Sequence, residues 1–319
     1  MSKITFIENT SEIGAGTRGA SLGIDALKLA SLRDGESLFS EFSSIRIDHR
    51  NELLLEKNTT PDAIRIHGIV EVYETMQSKV VDLLNNNKFP LVLAADHASA
   101  GGTIAGIKKK YPDKRLGAIW IDAHADLHSP YTTPSGNVHG MPLAASIGDD
   151  NQESAVNAPN NATIEAWEKL KNIGNLSPKL NTSDIVFFGV RDTETPEEYL
   201  MKKHKISNFT VDECRKKGMV GCAQAALQRL KDCDLIYISF DVDSMDPDIV
   251  SYGTGTPVAN GFHPHEVTQI INQLLEDKRL VCFEMVEINP LLDDKNKMAE
   301  TAYQILKDCV ESIQKNLAE

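Results

Sequence analysis

Three apolar runs in this chain stop on acidic and imidazole side chains, and that pattern restricts the possible folds more than any other feature. Leu116 to Ile121 opens the stretch Leu116 to Pro142 and leads directly into Asp122, His124 and Asp126. Leu91 to His97, LVLAADH, ends on Asp96 and His97, and Asp234 to Asp243, DLIYISFDVD, ends on Asp241 and Asp243. Side chains alternate faces along an extended strand, so residues at i, i+2 and i+4 point the same way. The spacing therefore predicts that Asp122, His124 and Asp126 converge from one strand end. Burying unpaired charge is costly, so something cationic is expected among them. In open α/β sheets ligands collect at the carboxyl ends of strands, and three such tips predict one shared metal site.

The rest of the chain alternates strand-like and helical patterns. Ile4 to Ile7 reads as a strand, followed by a glycine-rich turn, Gly14 to Gly23, and a short helix near Ile24 to Ala30. Pro61 to Asn87 carries a helical apolar period that leaves His67 on the surface. Ala98 to Lys110 reads as a helix with a solvated lysine face, Gly148 to Asn161 as an exposed loop, and Ala162 to Lys171 as a helix. Asp184 to Val190 is a buried strand, Met219 to Lys231 and Glu266 to Asp277 are helices, Arg279 to Ile288 is a strand, and Ala299 to Leu317 closes the chain as an amphipathic helix. His263 and His265 flank a helix start and read as surface residues. This alternation predicts a three-layer α/β/α fold with a mostly parallel central sheet, in one domain spanning 1–319.

Bulk properties exclude several classes. A formal net charge of −13 and a pI near 5.2 argue against nucleic acid, which requires a basic face. The five cysteines form no C-x-x-C pair, which argues against a disulfide framework and a zinc-thiolate site and points to a cytoplasmic protein. No window approaches 18 apolar residues and the amino terminus has no long apolar segment, so neither a membrane span nor a signal peptide is expected. Gly14, Gly16 and Gly19 form a G-x-G-x-x-G after a strand, a possible dinucleotide fingerprint. Asp48 lies too far on to be its acidic partner, so the glycines are expected to serve backbone geometry.

The motifs AADH, DAHAD, TTPSGNVHG at Thr132 to Gly140, SFDVD, GTGTP at Gly253 to Pro257 and EINP at Glu287 to Pro290 together resemble the arginase branch of the ureohydrolases. That superfamily also contains agmatinases and formimidoylglutamases. The resemblance implies a ligand set of His97, Asp122, His124, Asp126, Asp241 and Asp243. Two imidazoles and four carboxylates are too many for one ion, and such donors suit manganese, with cobalt, nickel or iron as alternatives. By resemblance, His97, Asp122, Asp126 and Asp241 hold one ion, and Asp122, His124, Asp241 and Asp243 hold the other. Paired ions acidify a water held between them. Asp126 is then the expected proton carrier, and His139 the general acid or shuttle, with an ordinary pKa near 6.5. Glu287 is expected to anchor the guanidinium through two parallel hydrogen bonds, with Thr256 beside it.

For the amino-acid end of a substrate, Thr133, Ser135 and Asn137 stand at positions matching the family's carboxylate-gripping residues. The chain departs from the pattern at His128, where the family has Asn, and at Glu194, where it has Asp. The expected activity is cleavage of L-arginine to L-ornithine and urea. The same chemistry on agmatine or a guanidino acid, a silent arginine-binding regulator and a nucleotide-dependent oxidoreductase remain alternatives. The resemblance also implies a homo-oligomer, trimer or hexamer.

Overall fold

The apolar runs become strands β1 (Ile4–Asn9), β3 (Phe89–Ala94), β4 (Leu116–Ile121), β5 (Ile185–Phe188), β7 (Leu235–Asp241) and β8 (Leu280–Val286), and two short segments add β2 (Ser43–Arg46) and β6 (Ser207–Phe209). In the computed structural model, which describes residues 3–35 and 38–318, they form one sheet of order β2-β1-β3-β8-β7-β4-β5-β6. Sequence patterning predicts a mostly parallel sheet; every strand pair is parallel. Met1, Ser2, Glu36, Ser37 and Glu319, part of the expected 1–319 unit, lie outside the described residues.

Burial on both faces is why the central strands read as near-continuous apolar runs. Along β4, Ile119 and Ile121 enter one core, while Leu116, Ala118 and Trp120 enter the other. Helices Gly23–Arg33, Met219–Arg229, Pro264–Leu275 and Lys297–Ala318 cover the first core. Helices Ile66–Asn85, Ala100–Lys110 and Asn161–Asn172 cover the second, completing three α/β/α layers. The edge strands β2 and β6 are short and lack a fully buried residue, so the sequence carries no apolar signal for them. Lys108 departs from the expected solvated face: it is buried, and its ammonium donates to the carbonyls of Pro112 and Lys114.

The strand order sets the position of the site. β3 and β4 are consecutive strands, yet β8 and β7 lie between them, and a reversal of this kind leaves a crevice at the carboxyl edge. The four central strand ends bring together Asp96 and His97, Glu287, Asp241 and Asp243, and Asp122 to Asp126.

Behind this crevice, helices Ile66–Asn85 and Ala100–Lys110 pack unusually close. A methyl group on Gly102 would lie 2.8 Å from Met76 Cβ and 3.0 Å from Tyr73 Cα, neither of which can swing away. Alanine gains about 1 kcal/mol over glycine in a helix interior, but overpacking costs about 1–3 kcal/mol. Gly102→Ala is therefore expected to lower the denaturant midpoint; an unchanged or raised midpoint would show that the contact yields.

Candidate metal centre

β4 ends at Ile121, so the extended alternation expected to align Asp122, His124 and Asp126 stops just short of them. A backbone bend brings them together instead. Asp122 Oδ1 accepts the His124 amide N–H at 2.7 Å, and Asp126 sits at φ 51°. Glu287, one residue beyond β8, has φ 70°. Left-handed backbone is disfavoured for residues with a Cβ, and strain of this sort concentrates at functional sites. Local bonds hold both residues in place. The Leu143 amide donates to the Asp126 carbonyl at 3.2 Å, and the His97 amide donates to Glu287 Oε1 at 3.0 Å.

His97 Nδ1 lies 3.0 Å from Asp122, 3.2 Å from Asp126 and 3.3 Å from Asp241. Its orientation is set by Ser239 Oγ, 2.7 Å from Nε2, and by the Trp120 ring stacked at 4.0 Å. His124 Nδ1 lies 3.0 Å from Asp243 and 3.5 Å from Asp122, so Asp122 belongs to both clusters. His97 Nδ1, Asp122 Oδ2 and Asp126 Oδ2 are buried, and none has a partner in hydrogen-bonding geometry. Buried polar atoms are nearly always satisfied, so three orphans aimed at one point fit a cation. Imidazole and carboxylate donors without thiolate fit a hard divalent ion.

These groups open on a cleft of about 260 Å³, lined also by His128, Thr133, Ser135, Asn137, His139, Glu194 and Thr256. The Asp122 side chain is 1% exposed and that of Glu194 54%, so the cation groups lie at the floor and Glu194 near the mouth. Glu287 is not on the lining. It lies behind His139, whose Nδ1 is 2.9 Å from Glu287 Oε1, the oxygen that already accepts the His97 amide. Two parallel bonds from Glu287 to a guanidinium are therefore not available, because only Oε2 is free of these contacts. The Thr256 hydroxyl donates to Asp243 Oδ2 at 3.1 Å, and a methyl on the preceding Gly255 would lie 3.7 Å from Glu287 Oε2, so this loop runs beside the glutamate.

The glycine turn supplies no phosphate cradle. The Gly14 amide donates to Asp96 at 2.8 Å, and the Gly19 and Ser21 amides donate to Glu12 at 2.9 and 2.8 Å, so carboxylates already occupy the N–H groups an anion would need. Gly19 has φ 116°, and a methyl on Gly16 would lie 2.6 Å from Asn137 Nδ2. The glycines let the turn pack against the cleft.

The Arginase family profile matches residues 3–311. The arginase of Brevibacillus brevis is 34% identical over 301 residues, spanning 92% of this chain and 93% of its own. The arginase of Bacillus subtilis is 31% identical over 309 residues, spanning 95% and 96%. The native structure of Bacillus caldovelox arginase superposes with a TM-score of 0.80 at 31% identity, covering 97% of this chain and 98% of that one. The chain belongs to the arginase family. It is a ureohydrolase, and the family's guanidino substrates suit a cleft with an acidic floor.

Within this arginase-family cleft the two departures from the family pattern meet: His128 Nε2 lies 2.9 Å from Glu194 Oε2. Glu197 and Asp192 also line the cleft, and neither is among the site residues expected from the sequence. For Glu197 a signal existed, because it closes a capping box with Glu194 three residues earlier. Ser239 and Trp120 were detectable too, each two residues before an acidic strand tip.

Crowding of like charge shapes the titration of the floor. Burial and the neighbouring Asp122 push the Asp126 carboxyl up, and burial with Asp243 and Asp122 pushes Asp241 well up. Burial lowers the affinity of the His97 ring for a proton, but Asp122, Asp126 and Asp241 outweigh it and raise the pKa well above the usual range. The His139 ring, expected near its ordinary value, is likewise opposed by burial yet pushed up to about 9 by Glu287. Groups with raised pKa values keep their protons to higher pH, and a ligated cation must displace those protons. Divalent-ion affinity is therefore expected to rise with pH, with about one or more protons released per ion in calorimetry across buffers of different ionisation enthalpy. Binding without proton release would contradict this reading of the floor.

Proposed function

We propose that this arginase-family enzyme hydrolyses the guanidinium group of L-arginine to L-ornithine and urea with two Mn²⁺ per chain. The observation that carries the reading is the shared Asp122, which joins a His97–Asp126 cluster to a His124–Asp243 cluster at the floor of one cleft. His97, Asp122, Asp126 and Asp241 would hold one ion, and Asp122, His124, Asp241 and Asp243 the other. Once bound, such a pair supplies a water acidified toward neutral pH as the nucleophile. The chain is further proposed to work as a single domain, in the cytoplasm, as a homo-oligomer, trimer or hexamer. Five free, buried cysteines support a reducing compartment, and among the described residues no helix is long and apolar enough to cross a membrane.

The chain's own residues handle orientation and protons. Asp126, a proposed ligand beside that water, would take the proton of the hydroxyl formed on attack and pass it to the departing nitrogen, so that the C–N bond breaks to urea and the free amine. His139, held as imidazolium by Glu287, would then protonate the freed amine to the ammonium product, and would regain its proton when the next water is ionised. Glu287 would anchor the guanidinium through Oε2, which requires the substrate to reach past the cleft lining to the carboxylate beside His139. Thr133, Ser135 and Asn137 meet the α-carboxylate, and Glu194 meets the α-ammonium.

A second reading, the same chemistry on agmatine or a guanidino acid, draws support from the His128–Glu194 contact, which engages the oxygen an α-ammonium would use. A silent regulator loses support because no candidate ligand is missing, and an oxidoreductase loses it because the glycine-turn amides are engaged. Urea release across arginine, agmatine and 4-guanidinobutyrate separates the readings. A site built to hydrogen-bond a carboxylate penalises a substrate without one, so agmatine should show kcat/KM at least roughly 10²-fold below arginine. Equal or better turnover of agmatine or 4-guanidinobutyrate would favour the second reading. His139→Ala should keep its metal and lose roughly 10²-fold in kcat, the usual range for a proton-transfer group; turnover at the parental rate would remove the shuttle role.

A further inference from the structure

Arg191, just beyond β5, is a partly buried cation that pairs with no carboxylate among the described residues. Its guanidinium N–H groups all go to backbone carbonyls instead. Nε donates to Ala259 at 3.0 Å, Nη1 to Gly189 at 3.0 Å and Ser244 at 3.4 Å, and Nη2 to Asp243 at 2.9 Å and Val258 at 2.6 Å. Those carbonyls lie on three separate segments: the β5 tip, the β7 tip and the loop that carries Thr256. The main chain adds a fourth attachment. The amides of Arg191 and Asp192 both donate to the Ala123 carbonyl, at 2.9 and 3.0 Å.

Ala123 stands between Asp122 and His124, and its own amide donates to Asp243 Oδ1 at 3.1 Å. Ala123, Asp243 and Arg191 therefore close a ring of bonds around one of the two cation clusters. The other cluster is braced differently. His97 is held by Ser239, Trp120 and the Glu287 carboxylate, none of which touches Arg191.

We propose that Arg191 is a positioning residue for the Asp122–His124–Asp243 cluster and not for the cluster around His97. The inference rests on the two-ion reading above. Five donors in a rigid fork reach three segments at once; an ammonium has three donors and no fork, so lysine cannot replace them all. Loss of an outer partner that orients metal ligands typically lowers metal affinity about 10–100-fold. Here that loss should fall chiefly on the site that uses Asp243, whose carbonyl Arg191 holds, and much less on the His97 site, which shares only Asp122 and Asp241 with it.

The test is Mn²⁺ equilibrium dialysis with electron paramagnetic resonance on wild-type protein, Arg191→Lys and Arg191→Gln. Thermal melts of the metal-free proteins establish that each variant is folded, and the lysine variant serves if the glutamine variant is not. Wild-type protein should bind two ions and give the spectrum of a spin-coupled pair. Both variants should weaken one site about 10–100-fold and the other distinctly less, so that isolated-ion signals appear where the parent shows the coupled pair. Equal weakening of both sites, or of neither, would overturn the role given to Arg191. Wild-type protein that binds fewer than two ions would instead overturn the two-ion reading, and this inference with it.

Discussion

The structure depends on bringing four buried carboxylates, Asp122, Asp126, Asp241 and Asp243, to one place at the carboxyl edge of a parallel sheet. Unpaired charge in such a setting costs several kcal/mol per group, and two imidazoles offset only part of it. The chain meets that cost in three ways. Backbone amides donate to the carboxylates, as from His124 to Asp122, Ala123 to Asp243 and Asp243 to Asp241. Burial and the neighbouring carboxylates raise the pKa values of Asp126, Asp241 and Asp243, which lessens the cost of their charge. The unpartnered atoms His97 Nδ1, Asp122 Oδ2 and Asp126 Oδ2 are left pointing at a common centre, where a divalent ion would stabilise them together.

The fold makes this possible because a parallel sheet carries all its strand ends in one direction. The central order β3-β8-β7-β4 sets four tips side by side, and helices on both faces keep the strands dry enough to be rigid. Precision then comes from loops, since the residues that matter lie at or just past each strand end. Asp126 and Glu287 adopt left-handed backbone there, and other loops hold them in it. Farther out, Thr133, Ser135 and Asn137 share the cleft with the His128–Glu194 pair.

The sheet and the floor of the site were legible in the sequence because both rest on local signals. Buried parallel strands announce themselves as apolar runs, and Asp and His at their tips are poor core material. What depends on distant partners was not legible. The pKa of His139 is raised by Glu287, 148 positions away in the chain, and the Thr256 hydroxyl finds its partner in Asp243, on another strand end. The edge strands β2 and β6 bury too little to leave a pattern. The convergence of Asp122, His124 and Asp126 was anticipated for the wrong reason, since a bend and not strand alternation produces it.

The central claim is that four strand ends form one two-ion floor. Anomalous diffraction from crystals grown with Mn²⁺ tests it most directly. The account requires two peaks per chain, one ringed by His97, Asp122, Asp126 and Asp241, the other by Asp122, His124, Asp241 and Asp243. A single peak, or peaks away from these strand ends, would contradict it.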